Sequence, residues 1–133
     1  MKIKIMNQYV DDQEKALRFY TEKLGFVKKA DFSQGNYRWL TVVAAEDPAG
    51  VELVLQSSAF APAAKTYHEA LRQQGMPSVM FFVDDLAIEH QRLKGLGVEF
   101  TRPPTKTTGS TIAMLDDTCG NLVQLTQLDA WAK

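Results

Sequence analysis

The sequence predicts an α+β chain in which one βαβββ unit is used twice, because three landmarks recur at a nearly constant offset. Val10-Asp11-Asp12 is matched by Val83-Asp84-Asp85, 73 residues on, and Leu24-Gly25-Phe26 by Leu96-Gly97-Val98, 72 residues on. Asp47-Pro48-Ala49-Gly50, followed by Val51-Glu52-Leu53, is echoed by Asp117-Thr118-Cys119-Gly120 ahead of Val123-Gln124-Leu125, so Glu52 and Gln124 also stand 72 apart. A sheet covered on one face by its own helix leaves the other face free. Two such units side by side would form a curved mixed sheet with a central cleft, the kind of concavity where ligands bind. The expected organisation is a single domain over residues 1–133, with repeats 1–56 and 77–127 joined by a helix around 61–75.

The elements follow in order. Lys2 to Val10 reads as a strand. Asp11, with Glu14 three residues on, has the spacing of a capping box and opens a helix. Ala16, Leu17, Tyr20 and Leu24 recur at helical spacing, and Gly25 stands where a helix commonly stops. Phe26 to Phe32 and Tyr37 to Ala45 are expected as strands joined through Gln34-Gly35-Asn36. After the turn at Glu46 to Gly50 comes a strand from Val51 to Gln56. Pro62 suits a helix start, and Ala64, Tyr67 and Leu71 fall on one face of the connecting helix. The second unit repeats the pattern: a strand Ser78 to Val83, a helix opened by Asp84-Asp85 and ended by Gly97, and a short strand Val98 to Thr101. Arg102 to Gly109, rich in Pro and Thr, is expected as a mobile loop before strands Ser110 to Leu115 and Asn121 to Gln127.

Composition narrows the function. With 133 residues, 45% hydrophobic and 23% charged, the chain is long enough for a proper core and unlike a disordered segment. Fifteen basic residues against 16 acidic ones leave a net charge of -1, without the basic excess of a nucleic-acid binder. No apolar run nears the roughly 18 residues that cross a bilayer, and the start Met1-Lys2-Ile3-Lys4-Ile5 does not read as a secretory signal. Cys119 is the only cysteine, so no intrachain disulfide forms and a cytoplasmic setting is expected. No phosphate-cradling glycine loop occurs.

The landmarks together are specific. The doubled βαβββ pattern, the two Val-Asp-Asp helix starts, the Leu-Gly-Phe and Leu-Gly-Val helix ends, and Asp117-Thr118-Cys119-Gly120-Asn121 before the last strand resemble the vicinal oxygen chelate superfamily. That group includes glyoxalase I, bleomycin and fosfomycin resistance proteins and extradiol dioxygenases. The resemblance covers about Ile3 to Gln127 and implies the glyoxalase/bleomycin resistance-like fold. It also implies a homodimer. One scaffold serves many activities in this group, so function has to come from the site. The metalloenzymes of the family hold their ion with residues that correspond to Ile5, Glu52, Ser78 and Gln124. Only Glu52 is a carboxylate and none is an imidazole, whereas a divalent cation wants three or four strong donors. No cofactor is therefore expected, and a divalent metal only as the less favoured alternative.

Strand alternation supplies the rest of the cleft face: Ile5, Asn7 and Tyr9; Glu52, Val54 and Gln56; Ser78, Met80 and Phe82; Gln124 and Thr126. The opposite face collects Leu53, Leu55, Val79, Phe81, Val83, Val123 and Leu125, a set suited to a helix-covered core. Gln8 breaks that apolar register. Glu52 is the candidate catalytic group, a carboxylate placed to accept a proton or grip an amine, or else one satisfied by Gln124, Ser78 or water. Asn7, Tyr9, Gln56, Ser78, Met80, Phe82 and Gln124 are the candidate ligand-binding residues. Tyr37 can join Met80 and Phe82 in an aromatic wall, while Trp39 reads as packing. His90 reads as packed, His68 as solvated, and Cys119 follows two aspartates that oppose thiolate formation. Arg102 and Lys106 flank the Pro103-Pro104 stretch, where they could meet an anionic substrate, and read first as solvated loop residues. The leading function is metal-independent binding of a small, weakly polar organic molecule. The alternatives are a lyase, isomerase or dioxygenase using Glu52, and a homodimeric interaction module whose cleft is vestigial.

Overall fold

The computed structural model describes residues 1–133. The chain divides into two compact units, Met1–His68 and Glu69–Lys133, each built on a four-stranded sheet. In the first unit β1 (Ile5–Val10), α1 (Gln13–Arg18), β2 (Val27–Gln34), β3 (Tyr37–Val43) and β4 (Glu52–Ser57) give the strand order β1-β4-β3-β2. After the connecting helix α2 (Pro62–Gln73), the second unit has β5 (Val79–Phe82), α3 (Leu86–Gly95), β6 (Phe100–Lys106), β7 (Ser110–Asp116) and β8 (Leu122–Leu128), with the matching order β5-β8-β7-β6. In each sheet the first and last strands pair parallel and the other pairs are antiparallel. The βαβββ unit read from the sequence is therefore present twice.

The helix starts use the second aspartate of each pair, not the first. Asp12 adopts an extended backbone and its Oδ1 accepts the Lys15 N–H at 3.0 Å; Asp85 does the same for Ile88 at 3.1 Å. The capping box expected between Asp11 and Glu14 does not form, because the first helical residue is Gln13. Beyond Arg18 the helix widens into a π-helical segment, Phe19–Lys23, which lets adjacent Phe19 and Tyr20 both turn inward and be buried. Gly25, at φ +86°, then ends it as expected.

The core of the first unit packs α1 and its extension on Val10, Leu40, Val42, Leu53 and Leu55, all buried. Gln13 ties the helix to the sheet by donating through Nε2 to Arg38 O at 3.0 Å and Leu55 O at 2.7 Å. In the second unit α3 covers a core of Leu86, Leu93, Val79, Leu115, Val123 and Leu125. Here Gln127 Oε1 accepts the Leu86 N–H at 2.8 Å, a side chain on the sheet completing the helix start.

The main departure from expectation is β6. The Pro103-Pro104 stretch is not a mobile loop but part of a strand paired with β7. Proline cannot donate to a sheet ladder, so it is tolerated only at an edge or a bulge. β6 satisfies both conditions: it is the outermost strand, and its register shifts on either side of Arg102. The loop shrinks to a tight turn, with the Thr107 N–H donating to Ser110 O at 2.8 Å.

An ion-pair cluster fastens β2 and β3. Arg38 donates through Nε and Nη2 to the two oxygens of Asp31, both at 2.9 Å, and through Nη1 to Glu14 on α1 at 3.2 Å. The bidentate Arg38 bond, aided by Lys28, holds the Asp31 carboxyl down at about 2 against an ordinary 3.8. A carboxylate with a depressed folded pKa stabilises the native state fully above its unfolded value and loses that stabilisation as pH falls toward the folded value. The contribution is thus expected to fade between pH 3.8 and about 2. Solvent screening limits it to about 1 kcal/mol. Urea titrations at stepped pH check this: Asp31→Asn should lose up to about 1 kcal/mol at neutral pH and flatten the acid slope in that window.

Candidate functional site

The registers place the expected cleft residues opposite one another within each unit. In the first, Ile5 lies across from Glu52, Asn7 from Val54, and Tyr9 from Gln56. β3 adds Thr41 opposite Val54, and β2 sets Phe32 against Trp39 and Gln34 against Tyr37. Alternation puts all of these on the face turned away from α1. Trp39, whose face the sequence left open, joins this side and is half-buried. The Tyr37 hydroxyl donates to Gln56 Oε1 at 3.3 Å, and Phe60 stands edge-on to the Tyr37 ring at 6.5 Å. Tyr9 meets the ring of His68 edge-on at 5.9 Å, with Tyr67 at 5.7 Å from the same ring. His68 is thus held between aromatics and half-buried, not a freely solvated histidine.

Glu52 has partners that the sequence did not suggest. The register of β2 against β3 shifts between Lys28 and Ala30. There the Ala30 N–H turns to Thr41 Oγ1 at 3.1 Å, and the Thr41 hydroxyl in turn donates to Glu52 Oε1 at 2.8 Å. Lys29, the residue set free by the bulge, donates to Pro48 O at 3.0 Å and brings its ammonium within 4.0 Å of Glu52 Oε2. The carboxylate is oriented and charge-balanced by Thr41 and Lys29 of its own unit. A bulge leaves no composition signal, which is why Thr41 and Lys29 are unreadable from sequence.

In the second unit Met80 lies across from Gln124, and Phe82 from Thr126. Ser78 precedes β5; its N–H donates to Leu122 O at 3.0 Å, and its hydroxyl reaches the same oxygen at 3.4 Å. Gln124 Nε2 donates to Thr126 Oγ1 at 3.1 Å and lies 3.7 Å from Met80 Sδ. β7 adds Met114 opposite Gln124 and Ile112 opposite Thr126. Met80 and Phe82 remain more than half exposed, whereas Thr126 is buried. His90 packs edge-on against Phe100 at 4.5 Å on the helix side, as a packed histidine should.

The donor set fits a metal poorly. Glu52 faces an alkyl side chain, Ile5, and Gln124 faces a thioether, Met80. Within either unit no three His, Cys, Asp or Glu side chains form a metal-holding cluster. One carboxylate, already engaged by Thr41, offers too little charge to offset a divalent ion.

Two βαβββ units, each with a helix-covered face and an open mixed face, define a class of fold that comparison with known proteins makes specific. The model of the Glyoxalase/Bleomycin resistance protein/Dioxygenase superfamily matches residues 2–125, and the chain belongs to that family. It is 50% identical over 127 residues to the Bacillus subtilis (strain 168) protein YurT, described as uncharacterized, covering 96% of this chain and 99% of that one. Among solved structures, UcmS2 superposes with a TM-score of 0.81 at 29% identity, covering 95% of this chain and 97% of that one. TnmS3, an antibiotic binding protein from Streptomyces sp. CB03234, superposes with a TM-score of 0.76 at 29% identity, covering 97% of each chain.

Proposed function

We propose that this chain binds a small organic molecule, without a metal, on the sheet faces that its helices leave uncovered. One observation carries the reading: those faces hold large apolar side chains open to solvent beside hydrogen-bonding amides and hydroxyls. Phe32 and Phe82 are each 63% exposed and Met80 54%, next to the Gln56–Tyr37 and Gln124–Thr126 hydrogen bonds. Exposed apolar surface of this kind marks a binding face, and a few fixed polar groups would set ligand orientation. The likeness to the antibiotic binding protein TnmS3 supports the same reading. Asn7, Tyr9, Gln56, Ser78, Met80, Phe82 and Gln124 are the proposed contacts, with Glu52 as an oriented acceptor. The homodimer implied by the family resemblance belongs to this proposal and is measured by light scattering.

A thermal-shift screen of aromatic natural products and metabolites, run in EDTA and again with added Zn, Ni, Mn or Fe, tests the reading. A ligand at about 100-fold over its Kd should add about 2.7 kcal/mol of stability. The shift should be equal with and without metal. Stoichiometric metal that disappears in Glu52→Ala would favour the lyase, isomerase or dioxygenase alternative. A screen with no stabilising compound would favour an interaction module with a vestigial cleft.

A further inference from the structure

We infer that the second unit carries a subsite for the acidic head of an aromatic organic acid, with Arg102 as its charge partner; this rests on the small-molecule reading above and names the ligand class. An open cleft of about 460 Å³ lies within this unit, lined by Arg72, Gln73, Thr101, Arg102, Met114 and Leu122. Its volume suits a drug-sized molecule. Its floor is apolar: Met114 sits opposite Gln124 in the β7–β8 ladder, and both Met114 and Leu122 are buried. The cleft therefore opens on the same face as the proposed contacts Met80 and Gln124.

The two guanidinium groups differ in what they are free to do. Arg72 donates through Nη2 to Asp116 Oδ2 at 2.6 Å, and Asp116 and Asp117 together keep it firmly protonated. Its charge is largely spent on Asp116, and it sits in the last turn of α2, where helix carbonyls repel an anion. Arg102 makes no ion pair. The register of β6 shifts on both sides of it, and bulges of this kind re-aim a side chain. An unpaired guanidinium beside an apolar floor, with one already neutralised next to it, matches a single negative head on an apolar body. It does not match a polyphosphate, which would need several free cations. Charge-assisted bonds from guanidinium to an acid are among the stronger polar contacts.

The test uses two fluorescent probes that differ by one acidic group, 8-anilinonaphthalene-1-sulfonate and N-phenyl-1-naphthylamine, titrated into the intact chain at fixed ionic strength. The sulfonate should bind once per chain, at least about tenfold more tightly than the neutral dye. Arg102→Met should weaken the sulfonate about tenfold while leaving the neutral dye unchanged, and Arg102→Lys should recover part of the loss. Retained binding of the neutral dye shows that the variant still folds. Equal affinities in the native chain, unchanged sulfonate binding in Arg102→Met, or binding of neither dye would overturn the acid subsite. The wider small-molecule reading falls only if the library screen above also finds no ligand.

Discussion

Asp117→Ala is expected to remove about 3 kcal/mol of stability and to lower Tm by roughly 10 °C. Asp117 is fully buried in the turn between β7 and β8. Its Oδ1 accepts the backbone N–H groups of Cys119 at 2.7 Å and Asn121 at 3.0 Å, and its Oδ2 accepts Asn121 Nδ2 at 2.9 Å. Alanine would strand all three donors, and a buried donor left unpaired costs about 1–3 kcal/mol. The turn has little tolerance of its own: Thr118 holds φ at +63° without being glycine, and Gly120 lies at +99°. Asp117→Asn keeps the shape but turns an acceptor into a donor facing Asn121, so it should lose an intermediate amount. Urea denaturation of both variants checks the order; a loss below about 1 kcal/mol in the alanine variant would show that other groups hold the turn.

That turn also shows which parts of the molecule the sequence makes legible. Asp47-Pro48-Ala49-Gly50 and Asp117-Thr118-Cys119-Gly120 are local signals with local causes, and both lead into the strand that pairs parallel with the first strand of the unit. Period-2 alternation puts Ile5 and Glu52 on one face of the first sheet, and Met80 and Gln124 on one face of the second, because a strand has only two faces to choose between. What stayed hidden depends on strand order and register. Pro103-Pro104 is a loop signal by composition and becomes a strand because β6 is an edge. Lys29 and Thr41 reach Glu52 only through a bulge. Arg102 reads as a loop cation until the paired edge strand fixes it over Met114. These residues make tertiary contacts across strands, and no single stretch of sequence encodes such a contact.

Gln8 is the local rule that the sequence visibly breaks, and Gln8→Met should raise stability by about 1 kcal/mol. Gln8 is fully buried on the helix side of β1, in the register where an apolar residue would sit. Its Nε2 donates to the Tyr20 hydroxyl at 3.2 Å, but Oε1 has no hydrogen-bond partner. Turning the amide over would only exchange an orphaned acceptor for orphaned donors. Burying such a group costs more than the single bond to Tyr20 returns, whereas methionine fills a similar volume with nothing to satisfy. Tyr20→Phe alone should destabilise, because it removes the one partner that the Gln8 amide has. The double variant should be at least as stable as the native chain, since removing both polar partners together leaves no orphan. A double-mutant cycle in urea measures the coupling. If Gln8→Met instead loses about 1 kcal/mol or more, the amide oxygen must be satisfied by a buried water and the glutamine is a structural asset of the first unit.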